Sequence, residues 1–345
     1  MPIYYEPLDT ARDVTTTRTI LHEVIPLTGT IVSGTYSDGN IKNYAHGMFQ
    51  SVYDYPYLSS SANHIFDLTL GYDESSALAG STGVVQDSKK INLYNQYSQV
   101  LLGYTGSSNT VRMFESDLVL DGSGSMKEVM FVNFSRLLVK DEIKKGSFSI
   151  TVGTGSWADS TDSAQAITLA DVSASSTGGT LSTNGGDYGV LFDTADGTTP
   201  HGIVFYQAGI AILSSSLFSG VTDFYDDGTA RSIEENMVSG SIETSCDALR
   251  HRIQNIQFNN STEINSTIYF CRMPNNRFNY SSNPTYLNAG AIRIKNGSRE
   301  NPPIAYVTTI GLYNSNRELL AVAKLSEPLR KDPTNELTLR VRLDY

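Results

Sequence analysis

The groups able to do chemistry in this 345-residue chain are five histidines, two cysteines and 36 Asp and Glu residues. "HEVIP", from His22, opens like a zinc-binding helix but lacks the second histidine four residues on, and His46, His64, His201 and His251 stand singly. The stretch "DFYDDGTARSIE", counted from Asp223, has Asp at positions one and five, Gly at six and Glu at twelve, as a calcium loop does. Tyr225 at the third position removes a ligand, and Arg231 at the ninth sets a positive charge against the ion. The segment therefore reads as an acidic exposed loop. The glycines of "DGSGSMK" lie at the wrong distance from Lys127 for a phosphate loop, and "GSGSM" is a turn without the pattern of a serine nucleophile. A glycosidase needs two carboxylates held a few ångströms apart, and nothing in the sequence singles out one pair. Cys271 lies in an apolar strand pattern and reads as an inert core thiol. Phe278, Tyr280 and Tyr286 in "NRFNYSSNPTY" have the chemistry of a carbohydrate platform, although such loops more often pack their rings under themselves or against a neighbour. No catalytic, cofactor-binding or metal-ligating residue follows, and the expectation is a non-enzymatic chain without a cofactor.

The elements that would have to position these groups are mostly strands. Hydrophobic residues make up 39% of the chain and charged residues 18%, and the remainder is rich in Ser, Thr, Asn and Gly, which favour turns. Twenty Tyr and 13 Phe against one Trp add flat rings suited to a half-buried pleated surface. A formal charge of −11 argues against a general phosphate-backbone binder. The densest basic stretch, "RLLVKDEIKK", is interrupted by Asp141 and Glu142. Cys246 and Cys271 alone make no disulfide framework, and "MPIYYEPLDTARD" lacks a basic-then-apolar leader pattern. No apolar run approaches the roughly 18 residues that span a bilayer. These features lead us to expect a chain made in a cytoplasm, with neither membrane nor nucleic acid as partner.

Periodicity places the elements. The first ~40 residues read as extended, and "HGMFQSVYDYPYLSSSANHIFDLTLGY" as a helical turn followed by strand or loop. Ile91, Tyr94, Tyr97 and Leu101 predict a helix over 87–102, capped at Asp87–Ser88 and stopped by Gly103. "KEVMFVNF" and "SFSITVG" are strands, with a short helix between them running from a Ser135 cap to Gly146. "YGVLFD" and "HGIVFYQAGIAIL" read as buried strands, the second with a bulge or close approach at Gly209. A helix over 243–252 passes into a strand, "EINSTIYFCRM" is a strand, and "FNYSSNPTYLNAG" is a loop pinned by Pro284. The ending predicts a meander over 304–313, 318–325 and 336–344, the last half-buried because Leu337, Leu339, Val341 and Leu343 share one face. The fold class expected is mainly β with a few helices (α+β): antiparallel, sandwich-like sheets, long polar loops and a C-terminal β-meander. Three domains are expected: 1–105, mixed; 106–240, β-rich with a Gly/Ser/Thr-rich loop insertion at 153–200; and 241–345, a β domain.

"AYVTTIGLYNSNRELLAVAKL" and the residues after it, to "ELTLRVRLDY", resemble the ending of virion structural proteins of large contractile-tailed phages, notably the myoviruses of marine cyanobacteria. "LHEVIPLTGTIVSGTYSDGNIKNYAHGMFQSVYDYPYLSSSANHIFD", "NFSRLLVKDEIKKGSFSI", "GIVFYQAGIAILSSS", "RIQNIQFNNSTEINSTIYFCR" and "FNYSSNPTY" look like the same family. The Gly/Ser/Thr-rich middle and "TDFYDDGTARSIEEN" do not match. The resemblance implies a baseplate wedge-like or fibre-attachment protein of the virion, assembling with other tail proteins in multiple symmetric copies. The alternatives are a carbohydrate-binding receptor module of the tail or a neck or head-decoration protein. No functional residue transfers from the family. The residues expected to meet neighbours are Tyr306, Ile310, Leu312, Tyr313, Leu319 and Leu320 in the ending, and Phe278, Tyr280 and Tyr286 in the loop.

Overall fold

The computed structural model describes residues 5–26, 38–80, 85–105, 110–281, 287–289, 291–292 and 304–345. In chain order its elements begin with β1 (Val14–Pro26), β2 (Ile41–Asn43), β3 (Gln50–Tyr53), β4 (His64–Tyr72), α1 (Val85–Leu101), β5 (Phe114–Glu115) and β6 (Ser125–Met126). Next come β7 (Glu128–Phe134), α2 (Arg136–Val139), β8 (Glu142–Ile143), β9 (Ser149–Gly153), β10 (Ala166–Ala170), β11 (Leu181–Thr183), β12 (Gly186–Asp193), β13 (Pro200–Phe205) and β14 (Ile210–Ser214). The remainder are β15 (Tyr225–Asp226), β16 (Ala230–Arg231), α3 (Ile233–Ser239), α4 (Ile242–Arg252), β17 (Ile253–Met273), β18 (Leu287–Asn288), β19 (Ala291–Ile292), β20 (Ala305–Tyr313), β21 (Leu319–Lys331) and β22 (Leu337–Asp344). The protein is mainly β with a few helices and its sheets are antiparallel, the fold class expected. Its contacts group the chain into two units, residues 21–262 and residues 1–20 with 263–345.

In residues 21–262 the strand order is β17–β9–β10–β12–β13–β14–β7–β4–β3–β2, with β11 beside β12 and β8 beside β17. The apolar runs of the middle sequence are continuous because both faces of the central strands are buried. Along β7, Val129 and Phe131 enter one apolar cluster with Ile203, Phe205 and Ile212. Met130, Val132 and Phe134 enter the other with Val204, Ala211 and Leu213. Successive strand side chains point to opposite faces, so each face of the sheet receives its own cluster. α1 lies close on β4 because Gly71 has no side chain: a Cβ there would sit 2.6 Å from the Lys90 carbonyl and 2.9 Å from the Tyr94 nitrogen. Tyr97 of this helix stacks on Phe131 with ring centres 4.1 Å apart.

Several expectations are corrected here. α1 starts at Val85, ahead of the predicted Asp87–Ser88 cap, and Asp87 instead accepts a hydrogen bond from the Tyr72 hydroxyl at 2.7 Å. The "HGIVFYQAGIAIL" run is not one strand but the hairpin β13–β14. Gly209 (φ +68°) closes the turn against Val139, where a Cβ would meet a methyl at 2.6 Å. The helix predicted from Ser135 to Gly146 is cut to one turn, α2, since Lys140 turns the backbone (φ 58°) and Glu142–Ile143 joins β17. The helical turn expected in "HGMFQSVYDYPYLSSSANHIFDLTLGY" is a single hydrogen-bonded turn, in which the Gly47 N–H donates to the Tyr44 carbonyl at 2.8 Å, and the strand after it, β3, pairs with β4. The 153–200 stretch is no loop insertion: besides the expected "YGVLFD" strand, β12, it supplies β10 and β11 to the sheet. The boundary expected near 105 is crossed by the β4–β7 ladder, and that near 240 falls within the unit that ends at 262.

In the unit formed by 1–20 and 263–345, the second half of β17 pairs with β22 from Ser266↔Asp344 to Met273↔Leu337, and β1 lies beside β17. β20 and β21 form a separate two-stranded sheet. The three strands of the expected meander therefore exist, but the third leaves the other two for β17. Among the described residues of this unit only Met273, Ala305 and Val341 are buried apolar side chains, and both large apolar clusters draw on 21–262 alone. Polar contacts also join its strands. Asp13 accepts from Arg272 at 2.6 Å, and Ser266 donates to Asp344 at 2.6 Å.

Candidate docking surface

The β20–β21 ribbon gathers six of the residues expected to meet neighbours. Its register sets Ile310 opposite Ala323 and Leu312 opposite Ala321, with irregularities after Val307 and Leu312. Ile310 and Leu312 are half-buried. Tyr306 (62% exposed), Tyr313 (45%), Leu319 (52%), Leu320 (68%) and Val322 (52%) are open to solvent. Leu320, Val322 and Lys324 alternate along β21, so they form one exposed row of two apolar groups and a cation. At the turn, Tyr5 meets Tyr313 edge to face with ring centres 5.0 Å apart, and the Arg317 guanidinium lies over Tyr5.

The base of the ribbon is fixed by Lys331, which has no solvent exposure. Its ammonium donates to the Asn279 side-chain oxygen at 2.8 Å, the Asp332 carbonyl at 2.9 Å and the Asn275 carbonyl at 3.3 Å. This ties β21 to the segment that carries Phe278 and Tyr280, 36% and 39% exposed. Phe278 has φ +59°. Tyr286 lies outside the described residues.

A second surface feature lies in residues 21–262. Arg252, fully buried at the end of α4, donates to the carbonyls of Gly153 (3.1 Å), Gly155 (2.8 Å), Asp223 (3.1 Å) and Phe224 (3.0 Å). Its guanidinium also lies over the Phe218 and Phe224 rings, and burial lowers its pKa to about 10. One cation thus clasps the loop after β9 to the loop before β15. Between those loops Trp157 stacks on His251 at 4.5 Å and meets Tyr225 edge to face at 5.1 Å. Burial, with Arg250 and Arg252 alongside, holds His251 below its usual value.

The calcium-like stretch belongs to this surface, and its carboxylates have protein partners. Asp223 accepts from the Trp157 backbone N–H at 3.1 Å, Asp226 from the Gly228 N–H at 2.8 Å, and Asp227 faces Arg231 at 3.3 Å. The stretch is a two-residue-strand hairpin, β15–β16, leading into α3. Among the described residues no group of three or more His, Cys, Asp and Glu is placed to hold a metal ion, and no helix is long and apolar enough to cross a membrane. Burial raises both thiols, that of Cys246 well above its usual value. Cys246 donates to the Leu68 carbonyl at 3.3 Å. A cavity of about 260 Å³ beside β6 is lined by Ser116, Ser125, Lys127, Glu128, Ser214 and Ser216, and Glu128 is engaged by Ser76.

Sequence reasoning missed Lys331, Tyr5, Arg252 and the Trp157–His251 pair. Each is a lone residue whose partners come from distant segments, so no spacing announces it. Comparison of the chain with protein-family models, with curated proteins and with solved structures returns no match.

Proposed function

We propose that this chain is a structural component of a bacteriophage virion, in the baseplate or at a fibre attachment, working by docking to other virion proteins in multiple copies. The observation that carries this reading is the β20–β21 ribbon. A two-stranded sheet is marginal in water on its own, and contiguous exposed apolar surface marks a docking site. Here Tyr306, Tyr313, Leu320 and Val322 are all exposed. The resemblance to virion proteins runs through the same residues and supplies the kind of particle.

Assembly by area and shape also suits a unit with so few buried apolar side chains among its described residues, since an interface supplies burial beyond what these strands provide. The test is to locate the chain in cryo-electron-microscopy density of a particle and to ask whether a chain lacking 305–331 still incorporates. The reading predicts a ribbon buried between subunits and loss of incorporation. A ribbon standing free at a distal tip beside a ligand-sized groove would replace it with a receptor-binding module.

A further inference from the structure

The two units differ sharply in charge. Residues 1–20 and 263–345 hold 13 Lys and Arg against 10 Asp and Glu, a net of +3, whereas residues 21–262 hold 12 against 26, a net of −14. The cationic unit presents the exposed row Leu320–Val322–Lys324. The anionic unit presents the half-buried rings of Trp157 and Tyr225 on two segments that carry Asp159, Asp162, Asp223, Asp226 and Asp227, with Glu234 in the first turn of α3 beside them and Arg231 as the one basic residue in 153–162 and 223–235. Arg252 fixes both loops through their carbonyls, so this acidic aromatic face is built before any partner arrives.

We infer that the β20–β21 ribbon of one copy docks on the Trp157 face of a second copy, head to tail. This rests on the reading of the ribbon as a docking surface and adds the identity of its occupant. The apolar row covers the aromatic rings, and Lys324 meets carboxylates and the indole face. The two surfaces are different patches, so the contact is heterologous, and each copy that binds leaves one ribbon and one acidic face free for the next. Segregated charge favours this pairing and opposes ribbon-to-ribbon or face-to-face pairing, in which like charges meet.

The whole chain, purified, tests this by sedimentation velocity across a dilution series, with fluorescence read in parallel. Trp157 is the only tryptophan, so emission reports on the acceptor face directly. The expected result is a mass that grows with concentration together with a change in Trp157 emission. Both should weaken about tenfold or more when salt rises from about 0.1 M to about 1 M, because the screening length falls from about 10 Å to about 3 Å.

Two variants sharpen the test, a Leu320→Asp/Lys324→Glu chain and an Asp227→Lys/Glu234→Lys chain, each checked by circular dichroism for an intact fold. Each alone should stay monomeric, and an equimolar mixture should give a dimer that grows no further, since one variant keeps its acidic face and the other its ribbon. Wild-type chain that remains monomeric at low salt overturns the inference, as does association that leaves Trp157 emission unchanged. If that monomer nevertheless enters particles only when 305–331 is present, the occupant is a different virion protein and the docking reading stands.

Discussion

The Lys90 ammonium donates to the Gly240 carbonyl at 2.8 Å and to the Met237 carbonyl, from a side chain with no solvent exposure. It thereby closes the C-terminal end of α3 with a cation, where the helix presents unsatisfied carbonyls. Burial lowers its pKa from the usual 10.5 to about 8, and nearby Asp87 opposes that shift. The unfolded chain therefore holds more protons between about 8 and 10.5, and the contribution of this group to stability rises with pH across that window. Lys90→Met should lower stability by about 1–3 kcal/mol at pH 7, through carbonyls left without a donor. It should also flatten the stability profile above pH 8 relative to wild type, as read by urea unfolding at several pH values.

Arg252 makes the larger demand on its surroundings, because five hydrogen bonds to four carbonyls hang on one guanidinium. Arg252→Lys keeps the charge but loses the planar fork, so one ammonium cannot reach both loops. A loss of about 3 kcal/mol or more is expected, with faster amide exchange at the loops after β9 and before β15 than in β7. Equal exchange in wild type and variant would show that the clasp is not what orders those loops.

Much of the sheet was legible because its signals are local. β9 and β22 follow alternation, β7 is a continuous apolar run, and α4 follows its steps of three and four. What was misread depends on distant partners. β22 was expected beside β21, its neighbour in sequence, but Ser266 and Asp344 pair across 78 residues. β10 and β11 are short, rich in small or polar residues and poorly patterned, and the sheet around them decides their state. The ribbon residues were legible as strands, and their exposure was not, since a sequence records which side chains are apolar but not what covers them.

Asp171 and Tyr206 form a second buried polar contact whose pH dependence has the opposite sign to that of Lys90. The Tyr206 hydroxyl donates to Asp171 at 3.0 Å, and the same carboxylate accepts from the N–H groups of Gly146 and Phe148 at 2.7 and 2.9 Å. Burial still pushes the Asp171 carboxyl up from 3.8 to about 6, against those donors. The folded chain thus holds the extra proton between 3.8 and about 6, so the stability this group contributes is full below 3.8 and is lost as pH rises through 6. Tyr206→Phe removes a donor that favours the ionised form. Its cost should be about 1.5–3 kcal/mol at pH 8, where the bond is to a charged group, and smaller at pH 5. A cost independent of pH would mean that Asp171 stays ionised throughout.

The ribbon and the core respond differently to truncation, and that contrast separates docking from folding. Phe131 is fully buried between Tyr97, stacked at 4.1 Å, and Phe114, edge-on at 5.8 Å. Phe131→Ala should cost about 3–5 kcal/mol by leaving a cavity. Leu320, 68% exposed, has little to lose within the chain. Leu320→Ser should change unfolding stability by less than about 0.5 kcal/mol. If the ribbon is a docking surface, the same substitution should still lower incorporation into particles several-fold, because its apolar area is buried only on assembly. Unfolding curves and the protein content of purified particles, measured on the same variants, give both numbers. Leu320→Ser particles with wild-type content would remove the ribbon from the interface.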